Sequence, residues 1–293
     1  MTFPGIIPAV ITPFDAQDRV DVAALEANVA HLLERGVHGL IAAGTMGEAG
    51  SLTQDERRTV IETVVRAAAG AVPVLAGVSA GATRLAVANT QLAREAGVQG
   101  VMCLPPLNYA GTPDEHVAFF AAVAAEGLPV MAYNNPEASG IDLTPPVIAA
   151  LADAVPGVVA IKECSGDARR IPALLNLTRL QVLVGGDDWA LEGFAAGATG
   201  WVSGVANVAP EACVALLEQV QAGDLAAARE TYRRILPLAR LDMTPKLVQY
   251  FKGAMDAVGL TGGPTRPPRG PLGAAERKVL DTAVAALREP VAA

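Results

Sequence analysis

A lysine stands where a buried strand is expected. In VPGVVAIKECSGD, residues 155–167, Val158, Val159, Ala160 and Ile161 form a short, mostly β-branched run between Gly157 and Gly166, the pattern of a parallel strand covered on both faces. Lys162 continues that run. Lysine is among the residues least often fully buried, and withdrawing an unpaired ammonium from water pushes its pKa down. The neutral amine is nucleophilic toward a ketone or aldehyde, and the product is a Schiff base. Once protonated, the imine withdraws electrons, so an adjacent carbon can lose a proton or a C–C bond can break, with a positioned hydroxyl moving the protons. Tyr133, in VMAYNNP, is the candidate hydroxyl. The structural alternative for Lys162 is an ion pair with Glu163, but neighbours along a strand point to opposite faces, which makes direct pairing awkward.

These side chains need elements to carry them. Apolar runs near 5–11, 38–44, 72–78, 99–104, 128–133, 157–163, 181–185 and 199–205 alternate with helical patterns such as DVAALEANVAHLLERG (21–36) and TQDERRTVIETVVRAAAG (53–70). The helical patterns have apolar residues at three- and four-residue spacing and stop at glycine. Eight consecutive β-α units predict an α/β fold, a closed (β/α)8 TIM barrel rather than an open doubly wound sheet. Chemistry in such a barrel sits at the C-terminal ends of the strands. Thr45 of AAGTMGE, Tyr133, Lys162 and GGDDW (185–189) all fall there. Strand alternation puts Lys162 with Ala160 and Cys164 on one face, and Tyr133 with Met131 on one face of the next strand, so amine and phenol converge inside the mouth. Segments 223–242, 244–258 and 273–289 are helical without strands, joined by the loop GLTGGPTRPPRGPLG (259–273), read as a surface connector packed on the barrel. The expected organisation is a barrel over 1–222 and a C-terminal helical extension over 223–293.

Composition narrows the function classes. The 293 residues are 52% hydrophobic, ample for one large core. Lys+Arg 22 against Asp+Glu 30 gives a net charge of −8, with no basic block, which argues against a nucleic-acid partner. The N-terminus MTFPGIIPAVITPFD has no positive n-region, and Pro4, Pro8 and Pro13 break its apolar stretch. It therefore reads as neither signal peptide nor membrane span, and a cytoplasmic location is expected. Cys103, Cys164 and Cys213 are odd in number and lack CxxC spacing, which argues against a disulfide framework or a structural zinc. His31 and His116 fall on helices and His38 at the start of the second strand, so none reads as a base or ligand.

GTMGE (44–48), YNNP (133–136), AIKECSGD (160–167) and GGDDWALEGFAAGATGW (185–201), together with PAVITPFD (8–15), resemble the dihydrodipicolinate synthase / N-acetylneuraminate lyase family of Schiff-base aldolases in order and spacing. The resemblance covers nearly the whole chain. It implies a barrel with C-terminal helices, a homo-oligomer (tetramer or dimer), no metal or organic cofactor, and a 2-oxo acid such as pyruvate held as an imine. Residue by residue, it implies that Lys162 forms the imine, Tyr133 relays protons and Thr45 links that hydroxyl onward. The backbone amides of Thr45 and Met46 would hold the substrate carboxylate, ahead of a Thr53–Glu56 capping box. Gly186, Asp188, Trp189 and Val202 would complete the substrate contacts.

The departures from the family bear on substrate. Met46 stands where the synthase has a second threonine, Leu107 where a tyrosine lent by the neighbouring subunit is expected, and no arginine stands near Ala138 to hold a second carboxylate. These point away from dihydrodipicolinate synthesis. Tyr109 is a candidate to replace the missing subunit-borne phenol through a shifted loop. Trp189 stands where sialic-acid lyases carry an acid, and Cys164 where they carry a threonine. If Met46, Leu107 and Trp189 line the pocket, its distal side is apolar and suits a short or apolar aldehyde; Trp189 packing outward is the alternative. Three readings follow: a lyase that cleaves or forms a C–C bond with pyruvate as the enamine component, a dehydratase or deaminase of a sugar-acid- or hydroxyproline-derived 2-oxo acid, and a non-catalytic 2-oxo-acid-binding barrel.

Overall fold

Eight parallel strands form one sheet: β1 Gly5–Pro8, β2 Leu40–Ala42, β3 Val74–Gly77, β4 Gly100–Cys103, β5 Val130–Asn134, β6 Val158–Glu163, β7 Gln181–Val184 and β8 Gly200–Ser203. The computed structural model describes residues 2–3 and 5–288; the outermost ends of the expected barrel and extension, residues 1 and 289–293, and Pro4 lie outside them. The strand order β1-β8-β7-β6-β5-β4-β3-β2 runs once around the sheet. A parallel bridge between Ala9 and Ile41, with the Val10 N–H donating to the Ile41 carbonyl at 2.9 Å, joins the two ends and closes the barrel. All residues of β1, β3, β4 and β8 are buried, as strands covered on both faces must be.

The strands are shorter than the apolar runs that mark them, because the chain turns sharply at their C-terminal ends. After β2, Ala43 takes a left-handed φ of 51° and Glu48 one of 54°. The loop between them folds tightly over β3: a Cβ on Gly77 would lie 2.5 Å from the Ala43 carbonyl oxygen, so only glycine fits there. The loop ends at the capping box. Thr53 Oγ1 accepts from the Glu56 N–H at 3.2 Å and the Thr53 N–H donates to Glu56 Oε2 at 2.9 Å, starting the helix Gln54–Ala68.

Three helices follow the barrel: Leu225–Ala239, Leu247–Ala257 and Ala274–Leu287. Their apolar faces join the barrel's core, with Ile235, Leu238, Phe251, Met255 and Leu280 in one continuous buried cluster with the strands. The 3-10 turn Arg240–Met243 packs against the turn Asp187–Trp189 that follows β7, which carries the extension over the mouth of the barrel.

A charged seam fixes this placement. Lys252 pairs with Glu48 at 2.7 Å, both fully buried, and donates to the Pro264 carbonyl at 2.7 Å. Arg266, from the 259–273 loop, forks onto Glu56 at 2.6 and 2.8 Å and reaches Asp18 at 2.9 Å. That loop is packed on the barrel through these ionic contacts, a hydrogen bond from Asn28 to the Thr261 carbonyl at 2.8 Å and the buried Leu272. No helix among the described residues is long and apolar enough to cross a membrane.

Candidate active site

Lys162 and Tyr133 are register partners on the neighbouring strands β6 and β5. Their side chains therefore emerge side by side, and Lys162 Nζ lies 4.1 Å from the centre of the Tyr133 ring. Both residues are buried. The Tyr133 hydroxyl accepts from Asn135 Nδ2 at 2.7 Å, which leaves its own proton free to donate elsewhere. Asn135 is itself fixed, because its Oδ1 caps the short helix Pro136–Ser139 by accepting from the Ala138 N–H at 2.9 Å. Glu163 points to the opposite face, where its carboxylate accepts from Asn134 Nδ2 at 3.0 Å and the Ser165 N–H at 2.7 Å. Lys162 forms no ion pair among the described residues.

The amine opens into a cavity of about 170 Å³ at the C-terminal ends of the strands. The barrel contributes Thr45, Met46, Tyr133, Lys162, Cys164 and Val202, and the extension contributes Asp242, Thr244 and Leu247. Asn135 and Glu137 lie along its rim. The N–H groups of Thr45 and Met46 donate to no other group among the described residues, so the turn after β2 presents two donors beside the cavity, suited to an anion. An adjoining cavity on the far side of Thr45 and Tyr133 is lined by Leu107, Arg57 and Arg269.

The charges differ from those expected of a simple desolvated lysine. Burial is the largest influence on Lys162 and pushes its ammonium down, but the anionic forms of Tyr133, Cys164 and Asp242 together push it further up. Burial pushes both the Tyr133 phenol and the Cys164 thiol up to about 12, so both are neutral at neutral pH. Burial also raises the Asp242 carboxyl, with Lys162 opposing. The amine is thus raised on balance, where the strand alone predicts a lowered one.

Thr45, Met46, Tyr133, Lys162 and Val202 are brought together as the motifs predict. Gly186, Asp188 and Trp189 are not: none lines this cavity. The Trp189 indole folds back over Gly186, where a Cβ would lie 2.2 Å from Nε1, and packs beside Gly193. Leu107 faces the adjoining cavity, and the exposed Tyr109 donates to Glu115 at 2.9 Å. Of the three residues expected to make the distal wall apolar, only Met46 lines it, and Asp242 and Thr244 supply polar groups in their place. No hydrogen bond joins Thr45 to Tyr133; Asn135 holds the phenol instead. Asn135 carried a sequence signal, an asparagine before proline at the start of a helix. Asp242 carried none.

The model of the dihydrodipicolinate synthetase family matches residues 2–287. The chain belongs to that family. A 4-hydroxy-tetrahydrodipicolinate synthase of Methanoculleus marisnigri is 37% identical, over 95% of this chain and 98% of the relative. One of Rhizobium meliloti is 35% identical, over 91% and 92%. Among solved structures, the 4-hydroxy-tetrahydrodipicolinate synthase of Methylacidiphilum fumariolicum SolV superposes with a TM-score of 0.94 at 27% identity, covering 98% of this chain and 96% of that one. YagE, a prophage protein of E. coli K12 belonging to the same family and solved in complex with pyruvate, gives 0.92 at 28%, over 98% and 99%. Members of the dihydrodipicolinate synthetase family are lysine Schiff-base lyases of the aldolase type, and this chain is one of them.

Proposed function

We propose that the enzyme holds pyruvate as an imine on Lys162 and makes or breaks a C–C bond between the pyruvate methyl carbon and a short aldehyde. The observation that carries this is Lys162 itself, buried at the mouth of β6, unpaired, and against the face of Tyr133. The Thr45 and Met46 N–H groups would receive the 2-oxo acid's carboxylate. Lys162 attacks the keto carbon after its ammonium gives up a proton, and Tyr133 is placed to pass that proton to the carbonyl oxygen. Two protons of the ammonium and the carbonyl oxygen leave as water, and the third proton remains on the imine.

In the cleavage direction, a 4-hydroxy-2-oxo acid bound this way loses its C4 hydroxyl proton, and the C3–C4 bond breaks toward the imine. The aldehyde departs and an enamine remains, which regains a proton at C3 before water releases pyruvate. The size of the cavity favours a short partner, since about 170 Å³ is well below the ~300–1,000 Å³ of sites for drug-sized ligands.

The name shared by the relatives favours a synthase acting on a second, carboxylate-bearing substrate. Against it, no arginine lines the cavity, and Ala138 rather than a cation lies on its rim. The test is pyruvate with borohydride, read by intact mass. One reduced adduct per chain at Lys162, absent from Lys162→Ala, is expected; an adduct elsewhere, or none with any 2-oxo acid, overturns the imine. Pyruvate release from a 4-hydroxy-2-oxo acid marks the lyase, whereas an intact carbon skeleton marks elimination.

A further inference from the structure

Asp242 belongs to none of the motifs, yet it lines the cavity opposite the barrel's contribution. It is half-buried on the turn Arg240–Met243, which packs against the turn Asp187–Trp189. Among the described residues it has no ion-pair partner. The cavity holds one cation, Lys162, and two acids, Asp242 and the exposed Glu137. When a 2-oxo acid is bound as a protonated imine, the cation is matched by that substrate's own carboxylate. Asp242 is then an unmatched acceptor on the wall of the cavity that must take whatever lies beyond the new bond. A second carboxylate there meets like charge, whereas a hydroxyl or ammonium meets a charged acceptor.

We infer that Asp242 selects the partner fragment: it accepts a hydrogen bond from a hydroxyl or ammonium group beyond the scissile bond and rejects a second carboxylate at that place. Asp242 thereby sets a donor-seeking group among the apolar side chains of Met243, Pro245 and Leu247, so the short partner is hydroxylated or cationic. The inference rests on the imine reading above and is separable from it by experiment.

Two 4-hydroxy-2-oxo acids of equal chain length serve as probes, 4,5-dihydroxy-2-oxopentanoate ending in a hydroxymethyl and 4-hydroxy-2-oxoglutarate ending in a carboxylate. The quantity measured is the ratio of their kcat/KM values, followed as substrate loss, which cancels differences in active fraction. The wild-type enzyme should favour the hydroxymethyl substrate about tenfold or more, the discrimination expected of one buried polar contact. Asp242→Asn should lower that ratio by about tenfold. Asp242→Ser, as a second variant, should lower it in the same direction, and Glu137→Gln should move it less because Glu137 is exposed to solvent. A wild-type preference for the carboxylate substrate, or a ratio unmoved in both Asp242 variants, overturns the assignment. Borohydride trapping of pyruvate on the wild-type protein reports the imine separately: an adduct with an unmoved ratio removes only the role of Asp242, and no adduct removes both.

Discussion

Two regions of the molecule bury a lysine and use it in opposite ways. At the end of β6, Lys162 is unpaired, lies over the Tyr133 ring and lines the cavity. At the seam between the extension and the loop after β2, Lys252 is buried more deeply and is committed on every side. It is paired with Glu48, bonded to the Pro264 carbonyl, and lies 4.4 Å from the centre of the Phe14 ring. Burial lowers Lys252, with Glu48 opposing, whereas Lys162 is raised on balance by its neighbours. The amine with the lowered pKa is thus the one that cannot react. Freeing its lone pair would strand a buried Glu48, at a cost of about 3–5 kcal/mol. Burial alone does not mark a candidate nucleophile; an amine without a committed partner, facing a cavity, is the better candidate.

The comparison is broken most directly by exchanging the two losses. Lys162→Ala should reduce turnover to background and abolish the borohydride adduct while leaving the melting temperature near that of the wild type. A substantial fall in Tm would give Lys162 the structural role assigned to Lys252. Tyr133→Phe should keep the fold and lower kcat by about 10²–10⁴, the range for removing a general acid–base group. A near-normal kcat would move the proton relay to another group.

Lys252→Met should do the reverse of Lys162→Ala. Leaving the buried Glu48 with only Arg269 at 3.6 Å and the Arg266 N–H should cost about 3 kcal/mol, a fall in Tm on the order of 10 °C, while folded protein still forms the pyruvate adduct. Loss of the adduct from folded Lys252→Met would show that the seam does more than hold the loop. The smallest effect concerns Glu56, whose carboxyl Arg266 holds at about 2. Its folded pKa lies below the unfolded value, so the stabilisation is present above about pH 4.5 and is lost as pH falls toward 2. With screening at a partly exposed pair, this amounts to about 1–2 kcal/mol. Chemical denaturation between pH 6 and 3 should show that loss in the wild type and a flatter profile in Arg266→Met; equal slopes would leave the pair without weight.

The barrel and the pairing of Lys162 with Tyr133 were legible because both arise from short-range pattern. Eight apolar runs separated by helical periods imply eight parallel strands, and a polar residue ending such a run falls at the mouth. Side-chain direction beyond the strand ends was harder to read. Trp189 occupies a motif position yet turns away, because Gly186 and Gly193 leave room for the indole to fold back. Leu107 likewise follows β4 at the expected place but faces the adjoining cavity. The expected Thr45 link to Tyr133 gave way to Asn135, two residues from the phenol, whose cap on Pro136–Ser139 fixes the amide against it.

By itself, the sequence determined the fold class, the family, and the meeting of Lys162 with Tyr133. Period-two alternation and parallel pairing leave the end residues of adjacent strands nowhere else to point. Only the tertiary structure decided what faces them. The return of the extension over the mouth depends on the Lys252–Glu48 and Arg266–Glu56 contacts between segments distant in the chain, which no local pattern encodes. That return places an acid, Asp242, in the same cavity as the amine, and electrostatic influence depends on distance in space and not on separation along the chain.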